Sequence, residues 1–390
     1  MSTMEVRHST RNNLVSYPIR DIVLEAKAIE KAGTRMIYMN IGDPAAFGFG
    51  PPQHILDAAR EALGKGLTGY APSEGDPELR KEIAASEGVT EGDTFVTAGL
   101  SEGIDFLFHS LLDPGHNIVL PSPTYPLYIT KERIYYGTEN YYDCDAGWEP
   151  DAESLRKSIN ERTSAIVLIN PNNPTGAVYS RKSVQEIIDV AGEFHLPVIS
   201  DNAYDMMVFD GECPDIRKVH KDVQLIVGGS LSKNFLYPGA RVGWLAFHGD
   251  SMGKLKEGIQ KLCNQRLSVN WEMQKGAVAA LRGNKGHIES FNHELRKRRD
   301  YIVKRISETD PLSMSPPKGA FYAFVRVESR KWKTDWQFCR ELLRHGVVTV
   351  PGSGFSSALK GLYFRIVLLP PIDQLGEAFG RIEKMMNEKG

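Results

Sequence analysis

The stretch GGSLSKNFLYPGARVGW, residues 228–244, decides how the rest of this 390-residue chain is read. It comes directly after the apolar run Leu225-Ile226-Val227 and puts two glycines, Ser230, Ser232, Lys233 and Arg241 beyond it. A buried strand that stops at a cluster of polar groups is the pattern of an open parallel sheet, whose ligands lie outside the carboxyl ends of the strands. Other stretches repeat it. HNIVLPSP (116–123), TSAIVLINP (163–171) and LPVISDNAY (196–204) are unbroken aliphatic runs, as expected of strands covered on both faces. Helical patterns separate them. Ile104, Leu107, Phe108 and Leu111 recur at i, i+3, i+4, i+7 before Asp113-Pro114-Gly115 stops the helix, and Val184, Ile187, Ile188 and Ala191 repeat that spacing. The alternation predicts an α/β fold with a mostly parallel central sheet.

After about Arg282 the texture changes. A charged amphipathic helix (NHELRKRRDYIVKRISETD, from Asn292) is followed by strand-like GAFYAFVRVES and LYFRIVLLP and by a last helix, DQLGEAFGRIEKMMNE. This reads as a smaller α+β domain. The expected division is a large domain over 49–282, a small domain over 283–390, and an N-terminal segment, 1–48, whose amphipathic helix (from Tyr17) packs on the small domain.

The totals exclude several classes. A net charge of −2 gives no electrostatic reason to expect nucleic acid. No apolar run approaches the ~20 residues of a membrane span. The four cysteines (Cys144, Cys213, Cys263, Cys339) lie far apart with no C-x-x-C pair, so neither a disulfide framework nor a metal site is expected. The polar start lacks a signal-peptide apolar core, and a cytoplasmic protein is expected.

The polar residues just beyond the apolar runs have a joint chemical sense. Asn170, Asn172, Asn173 and Thr175 come after one strand; Asp201 and Tyr204 come after another; Gly99, Leu100 and Ser101 open a helix after DTFVT. A helix N-terminus suits a phosphate, and Ser230 and Arg241 add donors. A carboxylate facing a heterocyclic nitrogen holds it protonated. A crowded lysine has a lowered pKa and can form a Schiff base. Phosphate, protonated pyridine and imine together describe pyridoxal 5′-phosphate. Each piece has a plainer reading: a solvated lysine, a turn-rich Asn-Pro loop, an Asp cap, a helix start. Two rivals also stand. Ser230-Leu231-Ser232-Lys233 is an S-x-x-K and Ser200-Asp201-Asn202 an S-D-N, which would make Ser230 a nucleophile and Lys233 its base, yet no K-T-G exists and the order of the motifs is reversed. A non-catalytic regulator would need a DNA-binding module for which the N-terminal segment is too short.

With these residues in hand, the chain resembles the class I/II aminotransferases, enzymes of fold type I, over nearly its whole length, and within them the prokaryotic and archaeal alanine aminotransferases. The resembling blocks include NIGDPAAFGF, GYAPSEGDPELRKEI, LPSPTYPLY, INPNNPTGAVY, SDNAYD, KGAFYAF, PGSGF and FRIVLLPP. The resemblance implies a ping-pong transfer from an L-amino acid, best L-alanine, to 2-oxoglutarate, with an aspartate aminotransferase or a C–S lyase of the same fold as alternatives. It implies that Lys233 carries the cofactor and shuttles the proton, that Asp201 pairs with the ring nitrogen, and that Asn173 and Tyr204 bond its phenolic oxygen. Tyr125 would stack on the ring, while Leu100, Ser101, Ser230 and Arg241 would hold the phosphate. Tyr70 would reach the phosphate of the neighbouring subunit, which implies a homodimer with shared sites. Arg365 would grip the substrate α-carboxylate beside Gly42, and Tyr17 and Arg20 would close over the substrate side chain. Arg20 or Arg266 could take the distal carboxylate of 2-oxoglutarate. Asn202-Ala203 replaces the Glu-Ile that relatives tend to carry, a change expected to alter packing and not chemistry.

Overall fold

The computed structural model describes residues 6–15, 17–66, 69–220 and 222–388. Its strands in chain order are β1 (Ile37–Tyr38), β2 (Thr94–Thr97), β3 (Asn117–Ser122), β4 (Asn140–Asp143), β5 (Thr163–Ile169), β6 (Val198–Asp201), β7 (Leu225–Ser230), β8 (Gly243–His248), β9 (Leu312–Ser313), β10 (Tyr322–Val327), β11 (Val347–Val348), β12 (Val350–Pro351) and β13 (Leu362–Val367). Seven form the central sheet in the order β2-β8-β7-β6-β5-β3-β4. All its pairings are parallel except those of β8, which runs antiparallel to both β2 and β7. The aliphatic runs are explained by their surroundings. In β5, Val167 and Ile169 join one core with Ile104, Leu107 and Phe108 of the helix Leu100–Leu111. Ile166 and Leu168 join another with Val184, Ile187 and Ile188 of the helix Arg181–Glu193. Both faces are covered, so neither alternates to polar.

A second, antiparallel sheet is ordered β12-β13-β10-β9, and a parallel pair joins β1 to β11. Their core draws on the helices Gly286–Ser307, Asp335–Arg344 and Ile372–Asn387 and on Ile22, Val23 and Ala26 of the N-terminal helix Pro18–Lys31. Opposite Arg365 of β13 stand Phe324 of β10 and Val350 of β12. This register is what aims an arginine from the second sheet at the strand ends of the first. Among the described residues no helix is long and apolar enough to cross a membrane.

Candidate active site

A cavity of ≈ 270 Å³ opens at the carboxyl ends of β5, β6 and β7, against β10, β13 and the N-terminal helix. It is lined by Tyr17, Arg20, Gly42, Leu100, Ser101, Tyr125, Asn173, Asp201, Tyr204, Ser230, Lys233, Arg241 and Arg365. Tyr70 lies outside it, with its ring 79% exposed.

At one end the helix Leu100–Leu111 begins. Gly99 precedes it with φ +77°, a turn that favours glycine. A Cβ there would lie 2.3 Å from Arg241 Nη2, so the absence of a side chain lets the arginine close over the turn. Arg241, itself left-handed at φ 51°, donates from Nη1 to Pro238 O (3.1 Å) and from Nη2 to Ala98 O (3.1 Å). Ser230 Oγ accepts the Ser232 N–H at 3.3 Å. Leu100 and Ser101 occupy the first turn, where backbone N–H groups have no intrahelical acceptor. An oriented set of N–H groups, a hydroxyl and a guanidinium is the donor set of a phosphate site.

At the far side Asp201 ends β6, 6% exposed. Its Oδ1 accepts the Ala203 N–H (3.0 Å) and its Oδ2 accepts the Tyr128 hydroxyl (3.0 Å). Burial raises its pKa, and those two donors pull it back. A carboxylate sunk this deep is best stabilised by a cation beside it. Asp201 is therefore both the cap that a plain reading suggests and a counter-charge facing the cavity.

Lys233 lies between these ends, three residues past β7. Its amine donates to Gly42 O at 2.7 Å and lies 5.4 Å from the Phe321 ring centroid. Burial lowers its pKa to about 8, helped by Arg365 and Arg241 and opposed by Asp43. Neither bond that places Lys233 Nζ and Ser230 Oγ joins one to the other, so the pair is not arranged as nucleophile and base.

Arg365 closes the site and is 1% exposed. Nη1 donates to Asn173 Oδ1 (2.9 Å) and Nη2 to Asn40 O (2.7 Å), while Nε has no partner among the described residues. The guanidinium lies 4.4 Å from the Tyr322 centroid and 4.9 Å from that of Phe355. A guanidinium held over two rings, with donors left at its edge, suits a carboxylate. Tyr204 and Tyr322 share a 2.8 Å hydroxyl bond, and burial raises the Tyr204 pKa well above that of a free phenol. Tyr17 bonds Tyr125 through their hydroxyls at 2.7 Å. Arg20 stands at the rim, exposed and with no ion-pair partner among the described residues.

One expectation needs revision, and two residues that the sequence reading did not name join the site. Arg266 is no part of this cavity: its guanidinium is bonded to Glu102, Ser73 O and Val96 O, because the helix that ends in it packs beside β2 and not over the substrate end. Conversely, Tyr128 and Tyr322 belong to the site although each reads as a core aromatic in the sequence; only the bond to Asp201 and the wall against Arg365 reveal them.

The residues fit pyridoxal phosphate: a phosphate donor set, a buried acid for a protonated ring nitrogen, and a low-pKa amine between them. Comparison with known proteins points the same way. The profile of the family described as aminotransferase class I and II matches residues 34–382. The chain is 33% identical over 396 residues to the glutamate-pyruvate aminotransferase AlaA of Haemophilus influenzae, covering 96% of each. Its fold superposes with a TM-score of 0.95 on an alanine aminotransferase from Pyrococcus furiosus, at 41% identity over 98% of this chain and 100% of the other. An aspartate aminotransferase double mutant from Thermus thermophilus gives a TM-score of 0.89 at 27% identity, with 98% and 100% covered.

Proposed function

The chain belongs to the aminotransferase class I and II family, and on that premise we propose that it moves the amino group of L-alanine to 2-oxoglutarate, giving pyruvate and L-glutamate, with pyridoxal 5′-phosphate as cofactor. The single observation that carries the cofactor reading is Lys233, a part-buried amine whose pKa is lowered to about 8 and which lines one cavity with a phosphate donor set and Asp201. The donor is supported by relatives named for alanine and for glutamate–pyruvate exchange.

Bound at these residues, the cofactor supplies a carbonyl that condenses with amines and a protonated ring that accepts the electron pair left at the substrate Cα. The protein does the rest. Asp201 keeps the ring nitrogen protonated. Asn173 and Tyr204 hold the phenolic edge, Tyr125 covers a face, and Leu100, Ser101, Ser230 and Arg241 anchor the phosphate. Arg365 takes the α-carboxylate of both substrates, with Gly42 lining that end, and so fixes the Cα–H bond relative to Lys233. Lys233 would remove that proton and return it on the product side, a role that its partial burial, which lowers the amine's pKa from the ordinary lysine value, supports. Tyr17 and Arg20 close the rim, and Arg20 meets the distal carboxylate of 2-oxoglutarate. L-Aspartate is the second reading of the donor, since an unpaired rim arginine would serve its side chain equally well.

The enzyme is proposed to work as a homodimer in which Tyr70 reaches the partner's phosphate, in keeping with a tyrosine ring left 79% exposed. The four cysteines are free thiols, in keeping with a cytoplasmic setting. A large cofactor-binding domain over 49–282, a small domain over 283–390 and an N-terminal segment, 1–48, packing on the small domain are proposed as its units. Incubation with pyridoxal phosphate, borohydride reduction and peptide mapping tests the central assignment. Label on Lys233 is expected; label elsewhere, or none, overturns it.

A further inference from the structure

Arg266 is the one candidate cation that the proposed reaction does not use. It ends the helix Gly253–Arg266, with its side chain only 16% exposed. Nη1 donates to Glu102 Oε2 at 2.8 Å, and the same oxygen accepts the Ala98 N–H at 2.7 Å. Nη2 donates to Ser73 O (2.8 Å) and Val96 O (3.2 Å), and Nε to Leu267 O (3.1 Å). The next residue but one, Ser268, accepts the Ala71 N–H at 3.2 Å.

Glu102 lies in the first turn of the helix whose leading N–H groups face the cavity. An acid there is favoured by the helix dipole but repels any anion bound at the same end. A free Glu102 carboxylate would also compete for the N–H groups of the turn, as acids in a first turn do. The pairing with Arg266 removes both problems. It neutralises the charge and commits one carboxylate oxygen to Ala98, the residue before the Gly99 turn. That leaves Leu100 and Ser101 to a ligand.

We infer that Arg266 is a positioning residue for the phosphate end of the cavity, acting through Glu102: it shields the bound phosphate from that carboxylate and sets the Ala98–Ser101 turn that donates to it. The inference rests on the reading of this end as the cofactor's phosphate site. Arg266 touches neither substrate nor cofactor. The same guanidinium ties Ser73 O to this turn, so the segment that bears Tyr70 is held by one side chain with it.

The test compares pyridoxal phosphate with pyridoxal, which lacks only the phosphate, by spectral titration of the full chain. Arg266→Gln is expected to weaken pyridoxal phosphate binding about tenfold or more while leaving pyridoxal within about twofold, as for loss of a charge-assisted bond acting at one end of a ligand. Glu102→Gln keeps an acceptor for Ala98 and drops the charge. It is expected to bind pyridoxal phosphate at least as tightly as the parent, and to restore affinity when combined with Arg266→Gln. Equal losses for both compounds in Arg266→Gln would reduce Arg266 to a general brace and overturn the inference. So would a tenfold loss of pyridoxal phosphate affinity in Glu102→Gln alone, a variant that serves even where Arg266→Gln does not fold. A parent chain that takes up neither compound would overturn the cofactor reading itself, a result distinct from both.

Discussion

The floor of the cavity and its rim are built in opposite ways. On the floor, Asp201, Asn173 and Arg365 are 6%, 3% and 1% exposed; Asp201 accepts from the Ala203 N–H and the Tyr128 hydroxyl, and Arg365 donates to Asn173 and to Asn40 O. On the rim, Arg20 is exposed and, among the described residues, without an ion-pair partner, and the Tyr17 side chain meets Tyr125 by a hydroxyl bond and an edge-to-face ring contact. In the proposed reaction the floor would handle what every amino acid and 2-oxo acid shares, the α-carboxylate and the Cα proton, and the rim what distinguishes them. A preorganised cation suits the shared group because no reorganisation is needed at the moment of reaction. A loosely held cation suits a partner present in only one half of the cycle, when the distal carboxylate of 2-oxoglutarate replaces the methyl of L-alanine.

Changes on the floor are therefore expected to damage both half-reactions, and changes on the rim only one. Lys233→Ala carries the largest effect: turnover falls on the order of 10⁴-fold in both directions, measured by single-turnover kinetics, while the cofactor still binds without a covalent bond. Arg365→Ala loses a buried donor set for a carboxylate. It is expected to cost about 3 kcal/mol, on the order of a hundredfold in kcat/KM, for L-alanine and 2-oxoglutarate alike. A loss confined to one of them would break the distinction. Arg20→Ala is expected to lower kcat/KM for 2-oxoglutarate about fivefold and to leave L-alanine unchanged, the scale of a single exposed ion pair. Tyr17→Phe, which removes only the bond to the Tyr125 hydroxyl, is expected to cost about threefold or less, the worth of one neutral hydrogen bond.

The pH dependence sharpens the same point. Burial holds the Lys233 amine at about 8 in the free protein, and only the neutral amine attacks a carbonyl. Cofactor uptake by the cofactor-free protein, followed by stopped-flow absorbance, is expected to rise with pH and level off above about 8. A profile still climbing at the ordinary lysine value of 10.5 would mean that the amine is not desolvated.

The floor was legible in the sequence because its strands are buried on both faces. Continuous aliphatic runs such as TSAIVLI reveal where they end, and the polar residues at or just beyond those ends include Asn173 and Asp201, whereas Arg365 comes from within β13 of the second sheet and was pointed to only by the family resemblance. Other parts were not legible, for physical reasons. β8 is one more apolar run, and nothing in its composition says that it runs antiparallel; the connection after β7, residues 231–242, forms a short 3-10 turn at Pro238–Ala240 and no crossover α-helix, so β8 returns alongside β7. The strand Asn140–Asp143 lies at the sheet edge with a polar composition that gives no signal. Tyr128 and Tyr322 look like any packed aromatic, and their roles depend on where a hydroxyl points. Arg20, Arg266 and Arg365 are the same residue type in the sequence. Their partners separate them: Arg20 is exposed at the rim, Arg266 is bonded to Glu102, and Arg365 is buried and bonded to Asn173.

The most direct measurement of the central claim is the visible spectrum of the cofactor-loaded protein under alternating additions. L-Alanine is expected to bleach the long-wavelength band, and 2-oxoglutarate to restore it. A band untouched by L-alanine but bleached by L-aspartate would contradict the proposed donor while leaving the floor intact.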